Sequence, residues 1–495
     1  MTKLKLSETE AHCVRLLKKN GGQVWVTGGA IRDLLLGLEP HDVDFITDLP
    51  PALSAGALTA GGISLVPDRT AFHHGIVRAA SFEKDIIDIA TLRKDSACDG
   101  RHCDVEWTSS IQDDLARRDL TFNAIAATIN EEGELGELID PFHGRAHLAS
   151  GEIIFVGYGP DRIKEDALRL IRACRFTALG PRFNLPPDMQ ECIEAHAHLI
   201  QGISKERIHD EILKGLSYPC PDKFIEELCR NGGLAKYILQ PVSKCDNIAG
   251  GQHHNETIYQ HLLFTLKAMA VLSDDPIMRL AALLHDIGKP STQKTSSDGV
   301  MHFYQHETEG AKIAYEWMKE YKFAQIHIER VVSLIRWHMF HFEDDTKDKT
   351  IRRWLREVGD SWKDLITLRC ADRRGNMAKL NKPMITQKMQ YIIDKAEELM
   401  KSGQPIFDKD LAINGHDLIA LGIKPGPIYK EIFQKIWAVI LNEPEKNTKD
   451  YLLEFVRKRC MNVNAGTDSS TGVGTGTDSS KPGSTGSDDV GTSGS

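Results

Sequence analysis

The chain has 495 residues (55.2 kDa), 41% of them hydrophobic and 26% charged, with 61 Lys and Arg against 70 Asp and Glu for a formal net charge of -9. The length implies about three domains at roughly 150 residues each, and the composition excludes a fibrous, collagenous or wholly disordered chain. The acidic balance taken alone argues against a nucleic-acid partner, although binding follows local basic patches and not the sum. No apolar run approaches the roughly 18 residues that cross a bilayer. The charged start, MTKLKLSETEAHCVRLLKK, lacks the apolar core of a secretory signal. A cytoplasmic protein with no membrane partner is expected. Its cysteines are scattered without a CxxC pair, which fits reduced thiols; Cys98 and Cys103 are the nearest pair and a minor metal or redox candidate.

In chain order, QVWVTGG reads as a strand ending in a glycine turn, AIRDLLLG as a helix start and VDFIT as a second strand. HHGIVRAA and DIIDIATL read as two more strands, so residues 1–150 form an α+β unit. The polar stretch from Thr91 to Asp114 reads as a mobile loop. Helical patterns follow in EDALRLIRACRFTAL, PDMQECIEAHAHLI, SKERIHDEILKGL and DKFIEELCRNGG, and again from Tyr259 to about Arg459. Gly180, Pro219, Gly250-Gly251 and Gly299 mark joints. Segment 464–495 is almost wholly Gly, Ser, Thr and Asp and is expected to be disordered, because it cannot bury enough apolar surface to offset its ordering entropy.

Three features near the N-terminus converge on phosphoryl chemistry. In VTGGAIRD, Gly28 and Gly29 between strand and helix let the backbone approach a phosphate, and Arg32 lies one turn on, where it can clamp the same group. In HDVDFIT, Asp42 and Asp44 alternate along a strand and so share a face. Such hard oxygen donors suit Mg²⁺. In IIDIATLR, Asp88 stands amid apolar neighbours, costly for a carboxylate unless a cation or an arginine meets it. It is a candidate third member of a two-metal site.

GGAIRDLLLG followed by HDVDFIT resembles the signature of the polymerase β-like class II tRNA nucleotidyltransferase and bacterial poly(A) polymerase family. IQDDLARRDLTFNAIA (111–126) resembles that family's Arg-Arg-Asp motif, DPFHGRAHL (140–148) its Asp-x-x-x-Gly hinge and EDALRLIRACRF (165–176) its nucleotide-selecting motif. The resemblance implies that Arg117, Arg118 and Asp119 contact triphosphate and ribose, and that Glu165, Asp166, Arg169 and Arg172 belong to the selecting motif. Asp166 and Arg169, three apart on an expected helix, share a face. A carboxylate accepts from an exocyclic amino group and a guanidinium donates to ring acceptors, a pattern that cytosine and adenine meet and guanine and uracil do not. The alternative for that pair is a surface salt bridge. In the family an intact loop at the position of the stretch from Thr91 to Asp114 accompanies A addition and a shortened one C-only addition, and here it is full length.

The middle of the chain holds His261, the adjacent His285-Asp286 of ALLHDIGKP, His306, His338 and Asp372. Imidazole and carboxylate on a helix suit a divalent metal, with distant residues completing the shell. The order resembles the HD phosphohydrolase superfamily; His306 and His338 match the extra histidines of dinuclear members, and His341 competes with them. The resemblance implies a divalent metal and hydrolysis of phosphate monoesters or 2′,3′-cyclic phosphates.

Local basic charge in ISKERIHDEILKGL, TIRRWLREVG, RCADRRGNMAKLNK and YLLEFVRKR, and the helical segment 415–436, are candidates for tRNA backbone contact. The expected organisation is therefore a nucleotidyltransferase head (1–150), an all-α neck (151–245), an HD domain (246–380), a helical RNA-binding region (381–463) and the tail (464–495). The expected activity is template-independent CCA addition to tRNA from CTP and ATP, with no obligate protein partner. Rivals are an A-adding enzyme, a poly(A) polymerase, and an HD phosphohydrolase whose head only binds RNA. The tail's four Asp and one Lys contribute -3 of the -9, so the overall charge says little about the partner.

Overall fold

Val24–Thr27 (VWVT) is buried along its whole length and forms strand β1 of a six-stranded sheet. With β2 (Phe45–Thr47), β3 (Ile76–Ala80), β4 (Ile86–Thr91), β5 (Arg93–Ser96), β6 (Asp104–Trp107), β7 (Ala126–Ile129) and β8 (Leu135–Ile139), the described residues of the head hold eight strands. The sheet order is β3-β4-β2-β1-β7-β8, antiparallel except where β2 runs parallel to β4. Alternation along the strands feeds two cores. Val24, Val26 and Phe45 pack with the helix Glu8–Lys19 on one face, while Trp25 and Ile46 pack with Ile111, Leu115 and Val156 on the other. Burial on both faces explains the near-continuous apolar run of β1. The computed structural model describes residues 3–40, 43–80, 86–96, 104–230, 233–251, 255–343 and 345–461. Asp42, Cys98, Cys103 and segment 464–495 lie outside the described residues.

Two sequence expectations differ in the head and neck. The stretch expected as a loop contains β5 and β6, paired antiparallel with Lys94 opposite Glu106. Cross-strand pairing of opposite charges supports this hairpin although it carries little apolar surface. The helix expected from Glu165 onward is broken: one helix, Gly159–Glu165, ends there, and Leu168–Phe176 begins a new one after Asp166 adopts an extended backbone (φ -154, ψ 104). The other neck helices are Pro187–His196, Lys205–Ser217 and Pro221–Cys229.

Further on come the helices Ile258–Leu272, Pro276–Leu284, His306–Glu320, Gln325–Trp337 and Trp362–Gly375, with a short hairpin of β9 (Lys294–Thr295) and β10 (Met301–His302). Chain contacts define two compact units, Met1–Asp345 with Val358–Ile392, and Thr346–Glu357 with the chain from Ile393 onward. Residues 346–357 thus cluster with the later segment, inside the stretch 246–380. The second unit has its own core of Leu418, Ile432, Ile436, Trp437, Ile440 and Leu452. Among the described residues no helix is long and apolar enough to cross a membrane.

Candidate active site and metal centre

In the head, Gly28 closes β1 at φ 68 and ψ -129 and opens the helix Gly29–Leu35. A Cβ on Gly28 would stand 3.1 Å from Arg118 Nη1 and 3.9 Å from Asp44 Oδ2, so the turn, the guanidinium and the carboxylate meet there. Phe45 pairs with Ile89, which sets Asp44 and Asp88 side by side one residue beyond the paired stretch. Asp88 also faces Arg78 on β3, with Nε 3.2 Å from Oδ1, so the arginine-paired alternative for this carboxylate is realised in the structure. Arg32 donates to Asp33 (2.8 Å) and to Asn123 Oδ1 (3.1 Å) and lies over the Phe176 ring. Part of its donor capacity is therefore committed to holding its own position.

From Asn123 the chain of bonds continues. Asn123 Nδ2 donates to Asp119 (3.2 Å), and Arg172 reaches the other Asp119 oxygen at 2.6 Å. Arg169 donates to the Arg117 carbonyl (2.7 Å), and Arg162 to the Ala116 carbonyl (2.9 Å). Asp114, fully buried, receives both Arg117 (2.7 Å) and Arg118 (3.3 Å). Burial penalises the Asp119 carboxylate, yet Arg172, Asn123 and the Leu120 N–H outweigh it and bring its pKa down to about 2. For Arg118 burial dominates and lowers its pKa, against the pull of Asp114 and Asp44. The segments 26–33, 111–126 and 165–176 are thereby gathered into one polar network.

Asp166 and Arg169 do not share a helical face. Because the helix breaks between them, Asp166 accepts from Arg207 (2.7 Å) and from the Leu168 N–H (3.1 Å). Arg169 instead pairs with Glu165 (2.7 Å), which Arg162 also reaches. Neither the expected pairing nor a mutual salt bridge forms. Asn123, Asp114 and Arg207 are participants that sequence reading missed. The first two lie within the quoted segment 111–126; Arg207 lies in ISKERIHDEILKGL, quoted for its basic charge, where nothing local marks it as the partner of Asp166, since only folding brings the two together. In DPFHG, Asp140 accepts from the Gly144 and Arg145 N–H groups (2.7 and 3.0 Å), closing a tight turn after β8.

The second centre gathers residues from five segments. His261 lies within a helix, His306 begins one, and Asp372 lies within Trp362–Gly375. His285 and His338 are the residues that end their helices, so His285-Asp286 stands just past a helix and not on one. A Cβ on Gly288 would come within 2.1 Å of the His306 carbonyl and 2.5 Å of the Gly310 N. Only glycine lets the His285-Asp286 turn press against the start of the His306 helix.

Three of the four imidazoles of this centre have defined tautomers. Nδ1 of His285, His306 and His338 lies 2.8, 2.8 and 2.7 Å from the carbonyls of Ala282, Phe303 and Ile335. A carbonyl only accepts, so each Nδ1 carries the proton and each Nε2 of a neutral ring presents a lone pair. These Nε2 atoms converge: His285 and His261 are 3.2 Å apart, His306 and His338 3.3 Å. Asp286 lies between the pairs. Its Oδ2 is 3.3 Å from His285 and 3.7 Å from His261; its Oδ1 is 3.2 Å from His306 and 3.6 Å from His338. Asp372 Oδ1 is 3.2 Å from His261, and Glu256 backs His261 from Nδ1 at 3.3 Å. Lone pairs and carboxylate oxygens so collected repel unless cations lie among them, so the residues fit divalent metal. Two groups of ligand atoms are close enough to hold one, His261-His285-Asp286 and Asp286-His306-His338, and both are buried. His341, the competing histidine, is exposed and bonds Glu343. Burial penalises the Asp286 carboxylate, but Lys289 at 2.6 Å and the surrounding imidazoles hold its pKa well below the usual range.

Several cations that were candidates for RNA contact are engaged by partners within the chain. Lys205 pairs with Glu320 (2.9 Å). Arg352 is buried and donates to the Leu441 carbonyl (3.1 Å), and Arg356 donates to Asp408 (2.8 Å) and covers the Trp437 ring.

Comparison with known proteins matches residues 24–154 to the poly(A) polymerase head domain, 182–244 to a probable RNA- and SrmB-binding site of polymerase A, and 258–376 to the HD domain. The chain is 32% identical over 301 residues to the multifunctional CCA protein of Verminephrobacter eiseniae, covering 59% of this chain and 68% of that one. It is 29% identical over 451 residues to the CCA-adding enzyme of Anoxybacillus flavithermus, covering 89% and 94%. It matches mitochondrial CCA tRNA nucleotidyltransferase 1 of Mus musculus at 37% identity over 232 residues, covering 46% of this chain and about half (51%) of that protein's length. Its fold is similar to the crystal structure of the Bacillus stearothermophilus CCA-adding enzyme in complex with CTP, with TM-score 0.62 and 22% identity over 93% of this chain and all of the other. The motif order, the sheet that carries it and these relatives agree: the chain belongs to the class II tRNA nucleotidyltransferase and poly(A) polymerase family and carries an HD domain.

Proposed function

We propose that the chain completes the 3′-terminal CCA of tRNA from CTP and ATP without a nucleic-acid template. The observation that carries this reading is the continuous network from Arg32 through Asn123 and Asp119 to Arg172, which joins the glycine turn to the nucleotide-selecting segment. In this reading Gly28, Gly29 and Arg32 receive the triphosphate, and Arg117, Arg118 and Asp119 flank triphosphate and ribose. Asp166 and Arg169 offer the incoming base an acceptor and a donor. Their partners Arg207 and Glu165 hold them in place beforehand, so less is lost in ordering them when the nucleotide binds. The carboxylates of Asp44, just before β2, and Asp88, at the neighbouring position of β4, and that of Asp42 are hard donors that would hold Mg²⁺. When bound, Mg²⁺ lowers the pKa of the attacking 3′-hydroxyl and offsets charge on the triphosphate. Arg118, beside Asp44 and Gly28, is placed to meet negative charge on the same phosphates.

We further infer a second activity at the Asp286 centre, the metal-dependent hydrolysis of phosphate esters, supported by the two buried ligand groups that share Asp286. Lys289 beside Asp286 and Arg369 beside Asp372 (2.9 Å) supply positive charge for an anionic substrate.

The test supplies tRNA ending before CCA, after C and after CC, with CTP and ATP singly and together. CCA completion on the shortest substrate is expected. Incorporation of A alone, and only onto tRNA ending in CC, would identify an A-adding enzyme; long A tracts would identify a poly(A) polymerase. An Asp44→Ala variant is expected to lose at least about a hundredfold in rate, the scale of losing one electrostatic contact to the reacting group.

A further inference from the structure

The Asp286 centre opens on a cavity of about 400 Å³. A second cavity, of about 430 Å³, adjoins it, and Arg369, Asp372 and Lys379 line both. Each is within the size range of a small-ligand site, roughly 300–1,000 Å³. The second cavity takes in none of the histidines that gather around Asp286. Its wall carries Phe340 and Phe342, with ring centroids 5.8 Å apart, and Met389 and Ile392. Arg373 lines it too, fixed by its Nε–H to the Pro383 carbonyl (2.9 Å).

The cations here differ in their commitments. Lys289 is held by Asp286 and Arg369 by Asp372. Among the described residues no ion pair engages Lys379 or Arg373. Burial lowers the Lys379 pKa, Asp372 pulls it back, and Arg369, Arg373 and Lys289 crowd it further down. A half-buried ammonium among like charges is relieved by an anion from outside. A flat apolar ring beside such a cation suits a nucleobase attached to a phosphate.

Resting on the phosphohydrolase reading of the Asp286 centre, we propose that the two cavities form one elongated site for a ribose that carries both a 3′-phosphate and a 5′-phosphoryl group. The 3′-phosphate lies at the Asp286 centre, the 5′-phosphoryl group on Lys379 and Arg373, and the base against Phe340 and Phe342. Hydrolysis breaks the bond between phosphorus and the 3′-oxygen. Water supplies the new oxygen on phosphorus, the 3′-oxygen takes a proton, and inorganic phosphate leaves. The ligand is a free nucleoside 3′,5′-bisphosphate or the 3′-phosphorylated end of a strand.

The experiment uses the full chain with Mg²⁺, Mn²⁺, Co²⁺, Ni²⁺ and Zn²⁺ in turn. Phosphate release is compared for adenosine 3′-monophosphate, adenosine 3′,5′-bisphosphate and a short 3′-phosphorylated RNA. The expected kcat/KM advantage of the 5′-phosphorylated substrates over the monophosphate is at least about tenfold, the value of one charge-assisted hydrogen bond. Lys379→Ala and Lys379→Gln are expected to collapse that ratio towards one through KM, and Lys379→Arg to keep most of it. A ratio near one in the wild type, or a ratio that survives Lys379→Ala, overturns the proposal. A bisphosphate advantage without one for the RNA identifies the free nucleotide as ligand, and the converse identifies the strand end. If no substrate is hydrolysed with any metal, the phosphohydrolase reading fails. The shared site is then judged by equilibrium binding of adenosine 3′,5′-bisphosphate: about tenfold weaker binding to Lys379→Ala than to wild type supports it, and equal binding overturns it.

Discussion

Asp119 accepts from the Leu120 N–H, from Asn123 and from Arg172 in a site that leaves it 8% exposed. Its folded pKa of about 2 lies below the ordinary 3.8, so the stabilisation it provides is present above about pH 4 and is lost as pH falls through 2. On that difference the wild type should lose about 2 kcal/mol more stability than Asp119→Asn between pH 6 and pH 2, checked by denaturant titration at each pH. Gly28 makes a different demand. Its backbone conformation is one that side-chain-bearing residues avoid, and a methyl group would press on Arg118. Gly28→Ala is expected to cut nucleotidyl transfer about tenfold or more, from strain on the order of 1–3 kcal/mol, read as single-turnover rate with CTP. At this scale the residue types were legible and the partners were not. Asp88, expected to need a cation or an arginine, has Arg78; Asp166, expected beside Arg169, has Arg207.

Among elements, the turn after the helix Pro276–Leu284 and the start of the helix His306–Glu320 depend on each other through Gly288. Gly288→Ala forces backbone apart and is expected to cost about 1–3 kcal/mol in thermal or denaturant unfolding. It should also weaken Co²⁺ binding measured by visible absorption, because His306 moves relative to Asp286. β1 was legible because its apolar run is continuous. The β5–β6 hairpin was not, because β5 (RKDS) has no apolar residue and the alternation of Val105 and Trp107 in β6 spans only four residues. The break at Asp166 was hidden for a similar reason: EDALRLIRACRF keeps helical spacing on both sides of a residue that caps the second helix.

For the molecule as a whole, two centres with different ligand chemistry imply separable chemistry. His285→Ala should lose divalent metal at the Asp286 centre, measured by metal analysis after dialysis, while CCA addition is retained. The second unit is assembled from separated stretches, and buried Arg352 joins them by donating to the Leu441 carbonyl and to Gln404 (2.8 Å). Arg352→Ala leaves those acceptors buried and is expected to destabilise the unit by about 1–3 kcal/mol, seen as an earlier calorimetric transition. Basic charge in TIRRWLREVG, on charge alone a candidate for tRNA backbone contact, serves packing at Arg352 and Arg356.

By itself the sequence determined the order of the motifs, the chemical type of each donor and acceptor, and the strand and helix periodicities that place them at turns and element ends. These depend on residue identity and short-range spacing. The tertiary structure alone decided which carboxylate meets which cation, and that the two oxygens of Asp286 divide between two pairs of histidines. Such contacts form only within a few ångströms and in one orientation. They are fixed by how distant segments pack, which local spacing does not encode.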